Sequence, residues 1–139
     1  MTINADLLLL DTSAALALVQ PDNPFHDWIA EQVEGRAIGL SGHANFEVYS
    51  VLTRLPMPYR ISGDDALRLI RAEFPEPRFL GASSQAKLLE EFRKLGLAGG
   101  QVYDALVAAA AREHGLPLLT CDKRAEATYL ALGVEFVAP

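Results

Sequence analysis

The sequence has very few of the side chains that build metal clusters and nucleophilic sites. Among its 139 residues there is one cysteine, Cys121, and there are three histidines. One cysteine forms no internal disulfide and no thiolate zinc cluster, so the sequence predicts a protein of the reducing cytoplasm. The histidines at positions 26, 43 and 114 have no serine and acid pattern around them, so nothing indicates a catalytic triad.

Long hydrophobic runs and phosphate-binding glycine loops are missing as well. The longest apolar runs, Leu7–Leu10 and residues 105–111, are far shorter than the roughly 20 residues that cross a bilayer. The N-terminal residues carry an acid where a signal peptide has a basic region. The segment 96–100 lacks the lysine and the glycine spacing of a P-loop. We therefore expect no membrane association.

Basic residues are outnumbered by acidic ones. Twelve lysines and arginines against 18 acids give a net charge of −6, which by itself argues against a nucleic-acid partner. Half of the residues are hydrophobic and 22% are charged, as in an ordinary globular protein. A chain of this length is expected to form one domain, residues 1–139, because two domains would each have too small a core.

Short apolar runs alternate with helical patterns along the chain. Strands are predicted at 7–10, 37–41, 118–121 and 134–137, with a brief strand at 78–81. Helices are predicted at 14–20, 24–34, 44–55, 62–74, 83–95, 101–114 and 123–132. Ser62 is expected to cap the fourth helix, and Ser83 or Ser84 the fifth. This alternation predicts a three-layer α/β/α sandwich around a mainly parallel sheet.

Two acids follow predicted strands directly. Asp11 ends the leucine run of the first strand, and Asp122 follows the strand at 118–121. The carboxyl ends of strands in open α/β sheets face the ligand-binding crevice, and in a parallel sheet both acids would lie at the same edge. The alternative is that each acid only caps the helix that follows it.

Two further acids lie within helical patterns. Glu47 flanks the apolar stripe of its helix, where an outward-bending surface glutamate is the alternative. Asp104 belongs to a helix that is apolar on nearly every side and is therefore expected to be buried. A buried carboxylate must be paired, capped or bound to a cation. The alternative for Asp104 is an acid favoured by the dipole of the first helical turn.

Four converging carboxylates would repel one another unless cations neutralise them. In sequence, only Lys123 and Arg124 adjoin one of these acids. Sites built from carboxylates suit hard ions, Mg²⁺ or Mn²⁺, rather than zinc, and such sites hydrolyse phosphodiesters with a metal-activated water. Three hydroxyl side chains are placed to orient the carboxylates or to hold metal-bound water: Thr12, Ser13 and Thr120.

Four ordered motifs resemble those of PIN-domain ribonucleases. They are Leu7-Leu-Leu-Leu-Asp11-Thr-Ser13, Asn45-Phe-Glu47-Val, Tyr103-Asp104-Ala-Leu and Leu119-Thr-Cys-Asp122-Lys-Arg-Ala125. The size and the ending Leu132-Gly-Val-Glu-Phe-Val137 are similar to the VapC toxins of bacterial toxin–antitoxin pairs. The resemblance extends from Leu7 to Val137, so it implies a PIN-like fold for essentially the whole chain.

The resemblance also implies a function. It implies an endoribonuclease that cleaves structured RNA such as tRNA or ribosomal RNA, inhibits translation, forms a homodimer and is neutralised by a small cognate VapB-type antitoxin. Asp11, Glu47 and Asp104 would be the main Mg²⁺-binding acids. Asp122 would be the fourth, more distant or acting through water. Thr12, Ser13 and Thr120 would support these acids.

Basic residues that flank the acid motifs are the candidates for RNA contacts: Arg112, Lys123 and Arg124. The alternative for Arg124 is a surface ion pair with Glu126 or another acid. The middle of the chain, residues 56–78, is where proteins of this kind vary most, so it gives no support for choosing a substrate.

Two other functions remain open from the sequence. One is an aspartyl phosphotransfer or phosphohydrolase domain with Asp11 as the nucleophile. In that case Ser13 stands where the second acid of the usual Asp-x-Asp pattern would be. The other is a catalytically silent module that binds RNA or protein, although intact acids at all four positions favour the ribonuclease.

Overall fold

The computed structural model describes residues 5–139, and a four-stranded parallel sheet lies at their centre. Residues 1–4, where the expected domain begins and on which the signal-peptide expectation partly rests, lie outside the described residues. The strands are β1 (Leu7–Leu10), β2 (Ala37–Leu40), β3 (Leu118–Leu119) and β4 (Phe136–Val137). Their order in the sheet is β2-β1-β3-β4, which confirms the predicted parallel α/β class.

Helices connect every pair of consecutive strands. They are α1 (Thr12–Val19), α2 (His26–Val33), α3 (Ala44–Arg54), α4 (Gly63–Glu73), α5 (Ala82–Leu95), α6 (Gln101–His114) and α7 (Glu126–Leu132), with a 3-10 turn at Lys123–Ala125. Helix α1 packs against α2 and α3, and α6 packs against α7. Along residues 5–139, no helix is both long enough and apolar enough to span a membrane.

The central strand β1 is buried because helices and strands cover it on all sides. Its residues Leu8, Leu9 and Leu10 have no exposed surface, as expected for an inner strand of a parallel sheet. Leu10 pairs with Leu40 of β2 and with Leu119 of β3. The residues that follow these three leucines therefore lie side by side at one edge of the sheet.

That next row is polar, although it is buried. Asp11 is 3% exposed, and Ser41 and Thr120 have no exposed surface. The Asp11 N–H donates to the Leu119 carbonyl at 3.1 Å, and the Ser41 N–H donates to the Leu10 carbonyl at 3.1 Å. The sheet thus fixes the backbone of the polar row as firmly as that of the apolar rows below it.

The predicted strand at 78–81 is wrong, because the segment that pairs with β2 lies slightly earlier in the chain. The Glu76 N–H donates to the Ile38 carbonyl at 3.1 Å. The Arg78 N–H donates to the Leu40 carbonyl at the same distance, and the pairing is a single bridge at Arg78. A Cβ on Gly39 would stand 1.7 Å from the Glu76 carbonyl oxygen, so this close approach requires glycine on β2.

The predicted cap of α5 is also wrong, whereas that of α4 is confirmed. Ser62 accepts the Asp65 N–H at 3.1 Å, and its backbone is extended as an N-cap requires. Helix α5 instead begins after Gly81, which has no side chain to cap it. The Ser84 hydroxyl donates to Glu113 of α6. This contact between two helices uses the hydroxyl that was expected to cap the N-terminus of α5.

Helix α6 is buried over most of its length but not at its start. Ala105 and Val107–Ala111 are buried, whereas Gln101 and Tyr103 are exposed. The expectation of an all-round buried helix is therefore wrong for the first turn, which lies at the rim of the sheet edge. The strands predicted at 118–121 and 134–137 are each two residues long, and the helix predicted from 123 starts as the 3-10 turn.

Candidate acidic active site

The four acids singled out in the sequence line one pocket at the carboxyl edge of the sheet. Asp11 follows β1 and Asp122 lies just after β3, while Glu47 and Asp104 come from the first turns of α3 and α6. The pocket has a volume of about 230 Å³, and Tyr129 contributes to its wall. The topology therefore gathers four carboxylates that are separated by as many as 111 positions along the sequence.

Each of these acids stands at the N-terminus of a helical segment. Asp11 caps α1, since its Oδ1 accepts the Ala14 N–H at 2.9 Å. Asp122 caps the 3-10 turn, since its Oδ1 accepts the Arg124 N–H at 3.0 Å. The capping alternative is therefore true for both residues, and yet both also line the pocket. The positive end of a helix dipole stabilises a carboxylate at such a position.

Asp11 is held through both of its oxygens. Its Oδ1 accepts the Ser13 hydroxyl at 2.6 Å as well as the backbone of Ala14, and its Oδ2 accepts the Tyr129 hydroxyl at 2.7 Å. Burial raises the pKa of Asp11, and the hydrogen bonds from Ser13, Ala14 and Tyr129 oppose that rise. The side chain is thus fixed in one orientation.

Tyr129 is a site residue that the sequence analysis missed. It is 1% exposed, and burial followed by the charge of Asp11 raises the pKa of its hydroxyl, which keeps that hydroxyl protonated as a donor. A signal was present: Ala125, Tyr129 and Leu132 recur at helical spacing and are all buried. A tyrosine on the buried face of a helix needs a hydrogen-bond partner for its hydroxyl.

Two of the three predicted hydroxyls connect the ends of β1 and β3. The Ser13 Oγ donates to Asp11 and accepts the Cys121 N–H at 2.8 Å. The Thr120 Oγ1 accepts the Asp122 N–H at 3.0 Å and lies 3.4 Å from the Ser13 Oγ. The Thr12 Oγ1 differs from both, because it is buried and has no hydrogen-bond partner among residues 5–139, while its residue lines the pocket.

Repulsion between the carboxylates is visible in their pKa values. Burial, and then the charges of Asp122, Asp11 and Glu47, raise the pKa of Asp104 from 3.8 to about 6, although Arg124 acts in the opposite direction. Burial and the charge of Asp11 raise the pKa of Glu47 as well, whereas His43 and Arg54 act in the opposite direction. The pocket therefore favours either bound protons or bound cations.

The predicted RNA-contacting residues lie in two different places. The Arg124 Nε is 3.5 Å from Asp122 Oδ1, so its carboxylate partner is Asp122 rather than Glu126. Lys123 is exposed on the same turn. Arg112 donates two hydrogen bonds of 2.8 Å to Glu91 and lines a separate cavity, so it does not face the acids.

The oxygen atoms that line the pocket are suitable ligands for a hard cation. Its polar lining residues all carry oxygen donors, and the buried Thr12 hydroxyl still has a free hydrogen-bonding capacity. Within residues 5–139, no three carboxylate, imidazole or thiol side chains are already spaced to hold one ion directly. Mg²⁺ tolerates this arrangement, because it usually keeps several waters and binds through one or two carboxylates.

Sequence comparison finds relatives along nearly the whole chain. A family model described as PIN domain matches residues 8–130. Ribonuclease VapC27 of Mycobacterium tuberculosis is 41% identical over 130 residues, which cover 94% of this chain and 95% of that protein. Ribonuclease VapC40 of the same species is 38% identical over 127 residues, which cover 90% of this chain and 93% of that protein.

Solved structures share the fold at much lower identity. The VapBC2 structure from Rickettsia felis bound to a DNA fragment from their promoter has a TM-score of 0.68 at 14% identity, with 96% of this chain and 98% of that chain covered. The VapBC-1 structure from nontypeable Haemophilus influenzae has a TM-score of 0.66 at 16% identity, with 95% and 97% covered. At these identities the likeness is one of fold.

Replacing Asp104 by asparagine should stabilise the metal-free protein at neutral pH. The folded protein holds a proton on Asp104 up to about pH 6, whereas the unfolded chain releases it near pH 3.8, so the free energy of unfolding falls as pH rises between these values. Asp104→Asn removes this fall, so the free energy of unfolding at neutral pH should rise by about 1 kcal/mol after allowance for solvent screening. Thermal unfolding in EDTA at pH 4 and pH 7.5 measures the difference.

The matched control is Glu31→Gln, an exposed acid on α2. It should leave the pH dependence of unfolding unchanged. The repulsion inferred around Asp104 would be contradicted by an Asp104→Asn protein whose stability follows the wild-type curve at both pH values.

Removing the Tyr129 hydroxyl should destabilise the fold through Asp11. Tyr129→Phe leaves the buried carboxyl with one partner fewer on Oδ2, at an expected cost of about 1–3 kcal/mol. Urea unfolding of Tyr129→Phe, Asp11→Ala and the double variant gives the coupling energy between the two side chains. Tyr59→Phe, at a residue 72% exposed, is the control. Additive single effects would show that the hydrogen bond contributes nothing.

Proposed function

This chain belongs to the PIN-domain family, among its VapC-type ribonucleases, and we propose that its acid pocket cleaves structured RNA of the tRNA or ribosomal RNA class with the help of Mg²⁺. The expected resemblance to this family is thereby confirmed. One observation carries the proposal: the acids of four separate sequence motifs line a single pocket.

The metal requirement follows from the charge of that pocket. Ribonucleases with a PIN domain generally depend on divalent metal ions. In our proposal Asp11, Glu47 and Asp104 would hold Mg²⁺, one or two of them directly and the rest through waters of the ion, with Mn²⁺ as the other candidate ion. Asp122 would act through water. When bound, the ion lowers the pKa of a water molecule and offsets charge on the phosphate and on the leaving oxygen.

The protein's own residues supply position and access. Ser13 and Tyr129 hold Asp11 at the closed end of the pocket, where it is almost fully buried. Glu47 and Asp104 are half-buried at the rim, so they face an incoming phosphate. The buried walls exclude bulk water from Asp11, which strengthens its attraction for a cation.

The pocket does not favour aspartyl phosphotransfer. A nucleophilic aspartate needs a free oxygen at the surface, whereas Asp11 is 3% exposed and both of its oxygens accept hydrogen bonds. Among residues 5–139, the lining of the pocket includes no lysine that could support an acyl-phosphate. The geometry therefore supports Asp11 as a fixed ligand rather than as a nucleophile.

The biological role we propose is that of a toxin. Two relatives are named VapC ribonucleases, and two structural neighbours are named VapBC, which supports a small VapB-type antitoxin as the partner of this chain. We also propose that it acts as a homodimer and that RNA cleavage inhibits translation.

Neutralising one acid should abolish cleavage without unfolding the protein. Asp11→Asn and Asp104→Asn keep the size of each side chain but remove charge that the ion requires, so the rate should fall by about 100-fold or more. Gel analysis of total tRNA and ribosomal RNA, incubated with each protein in Mg²⁺, Mn²⁺ or EDTA, measures the rate. Wild-type cleavage should stop in EDTA and return with Mg²⁺.

Glu31→Gln serves again as the control, and circular dichroism checks that every variant is folded. Full cleavage by a pure Asp104→Asn protein would contradict the metal-dependent mechanism.

Expression in a bacterial host should test the toxin role. We expect wild-type protein to stop growth and to reduce incorporation of labelled methionine, and Asp104→Asn to do neither. Co-expression of a short reading frame adjacent to the gene should restore growth. Arrest of equal strength by Asp104→Asn would mean that toxicity does not come from the acid pocket.

A further inference from the structure

A second pocket adjoins the acid pocket and is not used by the proposed cleavage chemistry. Its volume is about 360 Å³, and it shares Glu47 with the acid pocket. The other residues of its lining are His43, Ser50, Val51, Arg54 and Tyr103. Tyr103 also precedes the pocket acid Asp104 in the chain. A ligand that reaches the acids can therefore extend directly into this second pocket.

One face of α3 forms the floor of the second pocket. His43, Glu47, Ser50 and Arg54 follow one another at intervals of four, three and four residues, so they lie in one row along the helix. At 1.5 Å per residue, Arg54 is displaced from Glu47 by roughly 10 Å along the helix axis. The row thus leads from the acids outward to a cation.

Two rings stack at the end of this row that lies nearer the acids. The ring centroids of His43 and Tyr103 are 5.1 Å apart, with an angle of 24° between the planes. Tyr103 is 53% exposed, so a large part of its ring remains open to a ligand. A flat, exposed aromatic surface next to a phosphodiester-cleaving site is suited to stacking an unpaired base.

Arg54 is available to bind an anion. Other arginines are held by carboxylates: Arg68 by Asp65, Arg93 by Glu90 and Arg112 by Glu91. Arg54 is exposed and makes no ion pair within 4 Å in the part of the chain that the structure describes. Its charge acts on Glu47 without a direct ion pair, so the guanidinium of Arg54 keeps its hydrogen-bond donors for an anionic ligand beside the acidic pocket.

We propose that the second pocket binds a nucleotide of single-stranded RNA adjacent to the scissile phosphate. The base stacks on Tyr103, whose ring is backed by His43, and Arg54 binds a phosphate further along the strand. This inference rests on the proposed ribonuclease function and extends it, because it assigns Tyr103, His43 and Arg54 to the nucleotide beside the cleaved bond. A protein partner on the same rings is the competing occupant, and the experiment separates the two.

Fluorescence anisotropy with two labelled probes tests the subsite. One probe is a short single-stranded RNA of mixed sequence, and the other is the same RNA with one central abasic nucleotide. All proteins carry Asp104→Asn in Mg²⁺, so the RNA stays intact during the measurement. The variants are Tyr103→Leu, Tyr103→Phe and Arg54→Gln.

We expect Tyr103→Leu to weaken binding of the intact RNA about tenfold and to change binding of the abasic RNA little, because only a base can stack. Tyr103→Phe should retain wild-type affinity. Arg54→Gln should weaken binding of both probes and reduce the slope of log affinity against log salt by about 0.7, which is the contribution of one phosphate contact.

The controls are Tyr59→Leu, at an exposed tyrosine in a different cavity, and Arg68→Gln, at an arginine already paired with Asp65. Both should bind the two probes as the unsubstituted protein does.

Two results would overturn the inference while the ribonuclease function stands. One is RNA cleavage by wild-type protein combined with unchanged binding of the intact probe by Tyr103→Leu. The other is a changed oligomeric state of Tyr103→Leu in solution, measured by its native mass, without a change in RNA affinity. That result would show that the rings contact another protein molecule. If wild-type protein neither binds nor cleaves RNA, the proposed function itself fails, and the subsite fails with it.

Discussion

Repulsion among four carboxylates at one edge of a parallel sheet is the constraint around which this molecule is built. Strand register places Asp11 in a buried polar row. Hydrogen bonds from Ser13, Ala14 and Tyr129 compensate part of the cost of burying its carboxylate. Helix N-termini point at each acid, which lowers the cost of the charge further. Even so, the pKa of Asp104 is raised to about 6, so the compensation is incomplete. The remaining repulsion is what a cation would relieve.

The net charge of −6 takes on a different meaning once the acids are located. As an average it argues against nucleic acid, but four of the 18 acids lie in one pocket and several others pair with arginines. Two divalent ions in the pocket would bring the formal charge from −6 to −2 and would turn local repulsion into attraction for phosphate. The molecule is then suited to a narrow site on RNA rather than to broad contact along a nucleic-acid backbone.

The sequence predicts what depends on local pattern and misses what depends on distant contacts. The local pattern of residues predicts the leucine strand β1 and the acid that follows it. It also predicts the parallel sheet and the position of two acids at strand ends. Helical periodicity places Tyr129 on a buried face, but it does not identify Asp11, 118 positions away, as the partner of its hydroxyl. The failed cap at Ser84 has the same cause, because Glu113 on another helix takes its hydroxyl.

Selectivity for an RNA cannot come from the acid pocket alone. Its carboxylates and any ion they hold recognise a phosphate, and every nucleotide carries the same phosphate. Discrimination needs groups that contact bases, and these must lie outside the pocket but within one or two nucleotides of it. The stacked pair of Tyr103 and His43 meets both conditions, because it adjoins the acids and presents an open ring. Stacking tolerates any base but requires an unpaired one, so this surface would select a loop within a folded RNA rather than a particular sequence.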